Sequence, residues 1–391
     1  MADNRCRILI FTQNDWFFHL HFLALGQALA DTGAEVSLAC LVDEHGERLE
    51  AAGLRVLALS SLDVRSLGLK AQAKTVVELV RLIRREQPDM VLTISPKPAV
   101  LGSFAAKLAG VPSILSLMTG LGFLFAGENE RLQTLRRVVL GALKWAHTGA
   151  GSRILFQNSM DRELLIKSGV IPGSKAPLVG GVGTDLDKFK PGPRKNEVPV
   201  IVFGARMIRD KGVLDLVEAA HILHEQGLRF RVLLCGDPDP GNPNSLTTDE
   251  LVEIHEERFV DWLGHVSDIE RILAGADIAC LPTYYREGMP KFLLDSAAAG
   301  LPLVTTNAPG CTDVVTHGEN GLIVPQRSPV ALADALRQLI VDRDRRQAMG
   351  RASRKRAEAE FSADAFVERV FAVFDDAAVA AGRPGCVFST R

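Results

Sequence analysis

Glu287 and Asp295 stand eight positions apart in REGMPKFLLD (286–295), the first beside a glycine and Pro290, the second inside the apolar run that follows. Proline suits the first position of a helix, where an N–H would lack an intrahelical acceptor anyway. The amides around it, at Gly288, Met289 and Lys291, would point outward with the positive end of the helix dipole behind them. Such an end attracts phosphate. The spacing predicts a short helix: Gly300 can supply a left-handed cap, Pro302 forbids continuation, and LVTT (303–306) reads as a buried strand. Ala297, Ala298 and Ala299 would let that helix approach the sheet closely. With phosphate at its start, Glu287 could reach sugar hydroxyls and Asp295 a ribose diol, which is the chemistry of a nucleotide-sugar site. Standing alone, an acid before a helix is as readily a cap, and an Asp inside one is as readily a solvated group.

A second cluster lies upstream. VIVFGARMIRDKGVLDLVEAA from Val200 reads as a buried strand, a loop beginning at Gly204, and a helix with Leu214, Leu216 and Val217 on its apolar side. Arg206 and Lys211 sit in that loop, five residues apart. Two cations at a strand-to-helix turn suit a diphosphate, Arg offering a fork and Lys a point charge. Each by itself also reads as a solvated surface charge.

These loops need strands and helices to hold them, and the chain supplies two sets. RILIF (7–11) is the first strand, residues 19–31 the first helix and EVSLAC (35–40) the second strand. RVLALS, MVLTIS, SILSLM, ILFQN (154–158) and APLVGG (176–181) continue the set. VIVFG, RVLLCG, VDWLG, IACLP, LVTT and LIVP form the other. Apolar strands alternating with helical patterns predict an α/β class: two Rossmann-like, doubly wound parallel sheets facing across a cleft. Residues 1–185 are the expected first domain, the polar, Pro-bearing stretch 186–199 a linker, and 200–360 the second domain. The tail 361–380 is amphipathic.

Composition sets the bounds. A chain of 391 residues, 47% hydrophobic and 24% charged, has ordinary globular usage and room for two cores. Its formal net charge of -2 gives no field for nucleic acid and argues against a DNA or RNA partner. Six cysteines without a CxxC or metal spacing suggest isolated thiols in a reducing compartment. The apolar run after Arg5 and Arg7 is too short for a signal or a span, so a cytoplasmic protein is expected. Arg131 to His147 carries Arg131, Arg136, Arg137 and Lys144 around leucines and valines. That pattern could lie on the cytoplasmic face of an anionic membrane, although most such helices are domain-packing elements with solvated faces.

GARMIRDKG, RVLLCGDPDPGNP, VDWLGHVSD and DIACLPTYYREGMPKFLLDSAAAGLPLVTTNAPGCTDVVTHGENGLIVP resemble the C-terminal half of the retaining glycosyltransferases of family 4, which have the GT-B fold. NDWFFHLHFLALGQALADTGAEV and TGLGFLF resemble the branch that builds bacterial O-antigens, capsules and lipid-linked oligosaccharides. The resemblance implies a hexose or N-acetylhexosamine donor linked to a nucleoside diphosphate, UDP first, and a glycan or polyprenyl-diphosphate-linked acceptor. It implies no cofactor and no metal. Arg206 and Lys211 match the positions that hold the diphosphate, Glu287 the first acid of the E-x7-E motif at the transferred sugar, and Asp295 the second at the ribose. By the same resemblance the tail crosses back onto the first domain. A 2-epimerase of sugar nucleotides, or a binding protein without turnover, remains open.

The chain departs from the family at three places. The second acid is Asp rather than Glu; the loop after the first strand is QNDWFFH where many relatives have a Gly pair; Thr119 and Gly120 stand where some branches have a His. His21, in WFFHLHF, is the matching candidate to orient an acceptor, and reads equally as a packed or solvated helix residue; for its neighbour His19 the packed or solvated reading is favoured. Trp16, Phe17 and Phe18 suit either a groove or the core. Base choice would fall near Gly236–Asp239 and Gly264–Val266.

Overall fold

The computed structural model describes residues 5–63, 68–122, 130–193, 196–255 and 259–388. The chain divides into two compact units, one formed by Met1–Val182 with Asp364–Arg391, the other by Gly183–Ala363. The polar stretch 186–199 belongs to the second unit, where Phe189 is buried and Arg354 donates to the carbonyls of Leu186 and Phe189.

The first sheet comprises β1 (Arg7–Asn14), β2 (Glu35–Leu41), β3 (Arg55–Ala58), β4 (Met90–Ile94), β5 (Ser113–Met118) and β6 (Arg153–Phe156), in the order 3-2-1-4-5-6. The second comprises β7 (Val200–Gly204), β8 (Arg231–Cys235), β9 (Val260–Trp262), β10 (Ile278–Leu281), β11 (Leu303–Thr306) and β12 (Gly321–Val324), in the order 12-11-10-7-8-9. Neighbouring strands run parallel, as in Ile8 against both Val36 and Met90, or Val202 against Leu233 and Ala279. This is the expected α/β class.

Parallel sheets bury both faces, so their strands are apolar throughout rather than alternating. On β1, Ile8 and Ile10 face one core with Phe18, Phe22 and Phe366, while Leu9 and Phe11 face another with Leu79 and Ile83. Each such side chain contributes about 1.5–3 kcal/mol of transfer free energy. The helix Ala363–Ala380 lays Phe366, Val370 and Phe374 into the first unit's core, and Arg369 donates to the Val179 carbonyl at 2.7 Å.

Three local expectations change. The first helix begins at Asp15, because Asn14 accepts from the Phe17 amide and caps a turn that the aromatic run concealed. The stretch 176–181 is no strand: Pro177 has no N–H to pair, Gly180 turns at φ +75°, and one bridge, Phe156 to Leu178, is what forms. The third concerns the cysteines.

Cys6, ahead of β1, is bonded to Cys386, 380 residues away. Isolated thiols are found at the buried Cys40, Cys235, Cys280 and Cys311, but not at these two. Spacing could not show the pair because only the folded tail brings it together. The cysteine pattern therefore no longer argues for a reducing compartment. Among the described residues, no helix is long and apolar enough to cross a membrane.

Candidate active site

The second unit gathers Gly204, Arg206, Lys211, Glu287, Gly288, Met289, Lys291 and Asp295 on the loops that leave β7 and β10 and on the helix Lys291–Ala298. In parallel sheets the carboxyl ends of the strands are where ligands bind. Gly204 ends β7 under the ring of Phe292; a Cβ there would come within 2.5 Å of a ring carbon, so glycine lets the helix Lys291–Ala298 sit this close.

The two loops are tied through Asp210. Its carbonyl accepts from the amides of Tyr284 (2.9 Å) and Tyr285 (3.1 Å) and from the Thr283 hydroxyl (3.1 Å), while its carboxylate accepts from Asn244 at 2.8 Å. Gly212 closes the turn at φ +77°, where a Cβ would lie 2.1 Å from the Pro282 carbonyl oxygen. This places Lys211 against Glu287. Their side chains form an ion pair, 12% and 15% exposed, and the ammonium lies 5.5 Å from the centre of the Tyr285 ring. Burial, and then the charge of Glu287, push the Tyr285 phenol up. The buried Cys311 thiol is pushed up to about 12, mainly by burial, and stays protonated.

Arg206, half-exposed, pairs with Asp239 from the loop after β8. That loop is held by the Met207 amide on the Asp237 carbonyl (2.9 Å) and the Leu246 amide on the Met207 carbonyl (2.8 Å). Trp262 donates to the carbonyl of Gly236 at 2.9 Å.

Pro290 precedes the helix rather than opening it. With ψ 117° it is extended, and its carbonyl accepts from Leu293 (3.0 Å) and Leu294 (3.2 Å), so it is the cap and Lys291 the first helical residue. The helix start still has the first-turn amides and the dipole that the sequence implied. Gly310, at φ +80°, lies under it, and a Cβ there would come within 2.0 Å of the Gly288 oxygen.

Asp295 is buried. Its Oδ1 accepts from the Thr184 hydroxyl at 2.7 Å and pairs with Lys291; burial raises its pKa, and Lys291 followed by Thr184 opposes that. In this arrangement the second acid fastens the 184 segment and Lys291 to the helix.

His21, Thr119 and Gly120 belong to the first unit. His21, half-buried, packs on Phe17 with ring centres 5.0 Å apart. Thr119 donates to the hydroxyl of Ser95 at 3.2 Å, and the buried Gly120 turns at φ +107°. His19 lies 4.7 Å from the ring of His45; burial, then His45 and Arg48, lower its pKa. Phe18 is core and Trp16 is exposed.

Asp210, Asn244 and Gly310 were not singled out by sequence, and Asp239, expected near the base, instead pairs with Arg206. The run GDPDPGNP was legible as a loop, but not as the loop that braces the cations.

Two family descriptions match the chain: "Glycosyl transferase 4-like" over residues 7–158 and "Glycosyl transferases group 1" over 185–356. The chain belongs to glycosyltransferase family 4. It is 24% identical over 323 residues to the capsular polysaccharide biosynthesis glycosyltransferase CapM of Staphylococcus aureus, covering 80% of this chain and 83% of that one. It is 26% identical over 340 residues to the N,N'-diacetylbacillosaminyl-diphospho-undecaprenol alpha-1,3-N-acetylgalactosaminyltransferase of Campylobacter jejuni, covering 82% and 86%. Among solved structures it superposes on Anabaena HepE in complex with UDP and glucose, with TM-score 0.75, 18% identity and coverage of 94% and 98%. At that identity the likeness concerns the fold, which is GT-B. Both halves of this glycosyltransferase thus carry the family pattern, and the cation and acid loops lie in the group 1 half.

Proposed function

We propose that this glycosyltransferase moves a hexose or N-acetylhexosamine from a UDP-sugar to a glycan or polyprenyl-diphosphate-linked acceptor, with retention of configuration, in cell-surface polysaccharide assembly. The carrying observation is the Lys211–Glu287 pair, held by Asp210 beside a helix start. Lys211, Arg206 and the first-turn amides of Lys291–Ala298 would take the diphosphate oxygens, and Glu287 the transferred sugar. The acceptor oxygen bonds to C1 on the face that the diphosphate leaves. The C1–O electron pair goes to the diphosphate, whose oxygen takes the acceptor proton. Fixed positive groups offset that charge as it develops, so the step needs neither a protein nucleophile nor a metal. CapM's part in capsular polysaccharide biosynthesis, the diphospho-undecaprenol acceptor of the Campylobacter enzyme and the UDP complex of HepE support the acceptor class and the base.

The helix Glu130–Ala146 exposes Val138 and Trp145 beside Arg137 and Lys144, which suits contact with an anionic bilayer where a lipid-linked acceptor resides. Flotation with phosphatidylglycerol vesicles tests this; equal recovery in the unbound fraction with and without anionic lipid removes the membrane contact.

Transfer is tested by offering UDP-, GDP- and ADP-sugars with a lipid-linked acceptor, with and without EDTA, and assigning the product's anomeric configuration by NMR. Inverted product, EDTA-sensitive turnover, or an epimerised donor formed without acceptor would each overturn the corresponding part of the reading.

A further inference from the structure

In the first unit, β3 ends the sheet and, among the described residues, pairs only with β2, Arg55 to Ala58 lying against Ser37 to Cys40. Beyond its free edge runs a groove of about 960 Å³, walled on one side by Val56–Ser61 and on the other by the helix Leu69–Glu86. Four cations of that helix line it: Lys70, Lys74, Arg81 and Arg85. Their spacings of four, seven and four keep them on one face, over about 22 Å at 1.5 Å per residue. Among the described residues, no carboxylate pairs with Lys70, Lys74 or Arg81. The acids nearby are already engaged. Glu78 accepts from the amides and hydroxyls of Ser60 and Ser61, and Glu86 is held by Arg55 and Arg85.

We propose that this groove docks an extended acidic segment of a partner protein, added to the sheet beside β3. An exposed edge offers unpaired N–H and C=O groups to another strand, and alternate side chains of the incoming segment then meet one wall. The spacings agree. Two strand residues rise about 6.6 Å and four helical residues about 6 Å, so carboxylates at every second position can follow the Lys70–Lys74 and Arg81–Arg85 steps. Val56, Leu57, Val77 and Leu82 give apolar wall between the charges. A second copy of this chain fits poorly, since edge-to-edge pairing would set one cation row against another. A bilayer has no backbone N–H and C=O groups to pair along the strand edge.

The probe is a fluorescein-labelled peptide of alternating Glu and Val, about seven residues long, added to the full chain, with a Lys/Val peptide and phosphatidylglycerol vesicles as parallel arms. The acidic peptide alone should bind. Its binding should slow amide exchange at Val56–Ala58 and weaken by about tenfold or more in Lys74→Glu/Arg81→Glu. Both residues are exposed, so the fold should persist, and Lys70→Glu provides an independent second variant. Binding without protection at Val56–Ala58, indifference to both variants, or capture of the vesicles in place of the peptide would overturn the proposal.

Discussion

Lys211 and Glu287 are mostly buried and answer one another, so removing either takes a group from the ligand's surroundings and also leaves a charge without its partner. Lys211→Ala and Glu287→Ala should each lower kcat by about 10²–10³-fold while circular dichroism stays native. Turnover within a few-fold of wild type in either variant would remove the pair from the site. His147 is a different kind of residue, buried with its Nδ1–H on the Leu143 carbonyl (2.9 Å) and its Nε2 on the Ser116 hydroxyl (3.0 Å). Burial pulls its pKa down to about 4 from an ordinary 6.5. The folded chain therefore resists protonation, and this stability is present above about pH 6.5 and lost as pH falls toward 4, by roughly 3 kcal/mol at most. Urea unfolding at pH 7, 6 and 5 should show a slope that His147→Gln lacks; parallel slopes would count against it. Neither partnership was legible in sequence. His147 closed a helical run, and Lys211 and Glu287 were read as separate ligand groups, because contacts across 76 residues follow from the strand order rather than from spacing.

Elements decide how well the acid and the cations are aimed. One carbonyl, that of Asp210, holds the 283–285 segment, and it can do so only because Gly212 turns the chain at positive φ against Pro282. Gly212→Ala should displace the Lys211 loop and cut activity by about tenfold or more, with a loss of stability of about 1 kcal/mol or more. Donor affinity and turnover measured beside a thermal melt check this; unchanged kinetics would mean that the loop tolerates the strain. The strands and the two phosphate-seeking loops were visible in the sequence because fully buried parallel strands are apolar runs, and Gly and Pro mark where they stop. The stretch 176–181 shows the limit of that signal: its apolar residues outweigh Pro177 and Gly180, yet only the bridge from Phe156 to Leu178 forms. The brace at Asn244 and the cap role of Pro290 were hidden in backbone angles and loop contacts.

At the scale of the whole chain, the segments around Cys6 and Cys386 meet. Cys386 lies in a short turn after the helix Ala363–Ala380, Arg383 reaches Asp89 at 3.3 Å, and Phe388 packs on Phe371 and Phe374. The tail is thus part of the first unit's core, and the bond from Cys6 to Cys386 closes nearly the full length of the chain. A cross-link over so long a loop removes much freedom from the unfolded chain, and native disulfides typically contribute about 2–4 kcal/mol. Reductant should therefore lower the denaturant midpoint of the first unit. Cys6→Ser should begin at the lowered midpoint and show no further response. The four remaining cysteines are buried, and burial holds Cys235 up to about 11 and Cys40 and Cys311 up to about 12, so they should stay unreactive in the folded chain and be the four thiols counted once it is denatured. Urea melts of both proteins with and without dithiothreitol, with thiols counted by Ellman's reagent under denaturation, decide it. Six free thiols in the unreduced protein would show the ends unlinked, and a wild-type midpoint indifferent to reductant would show the link to carry no stability.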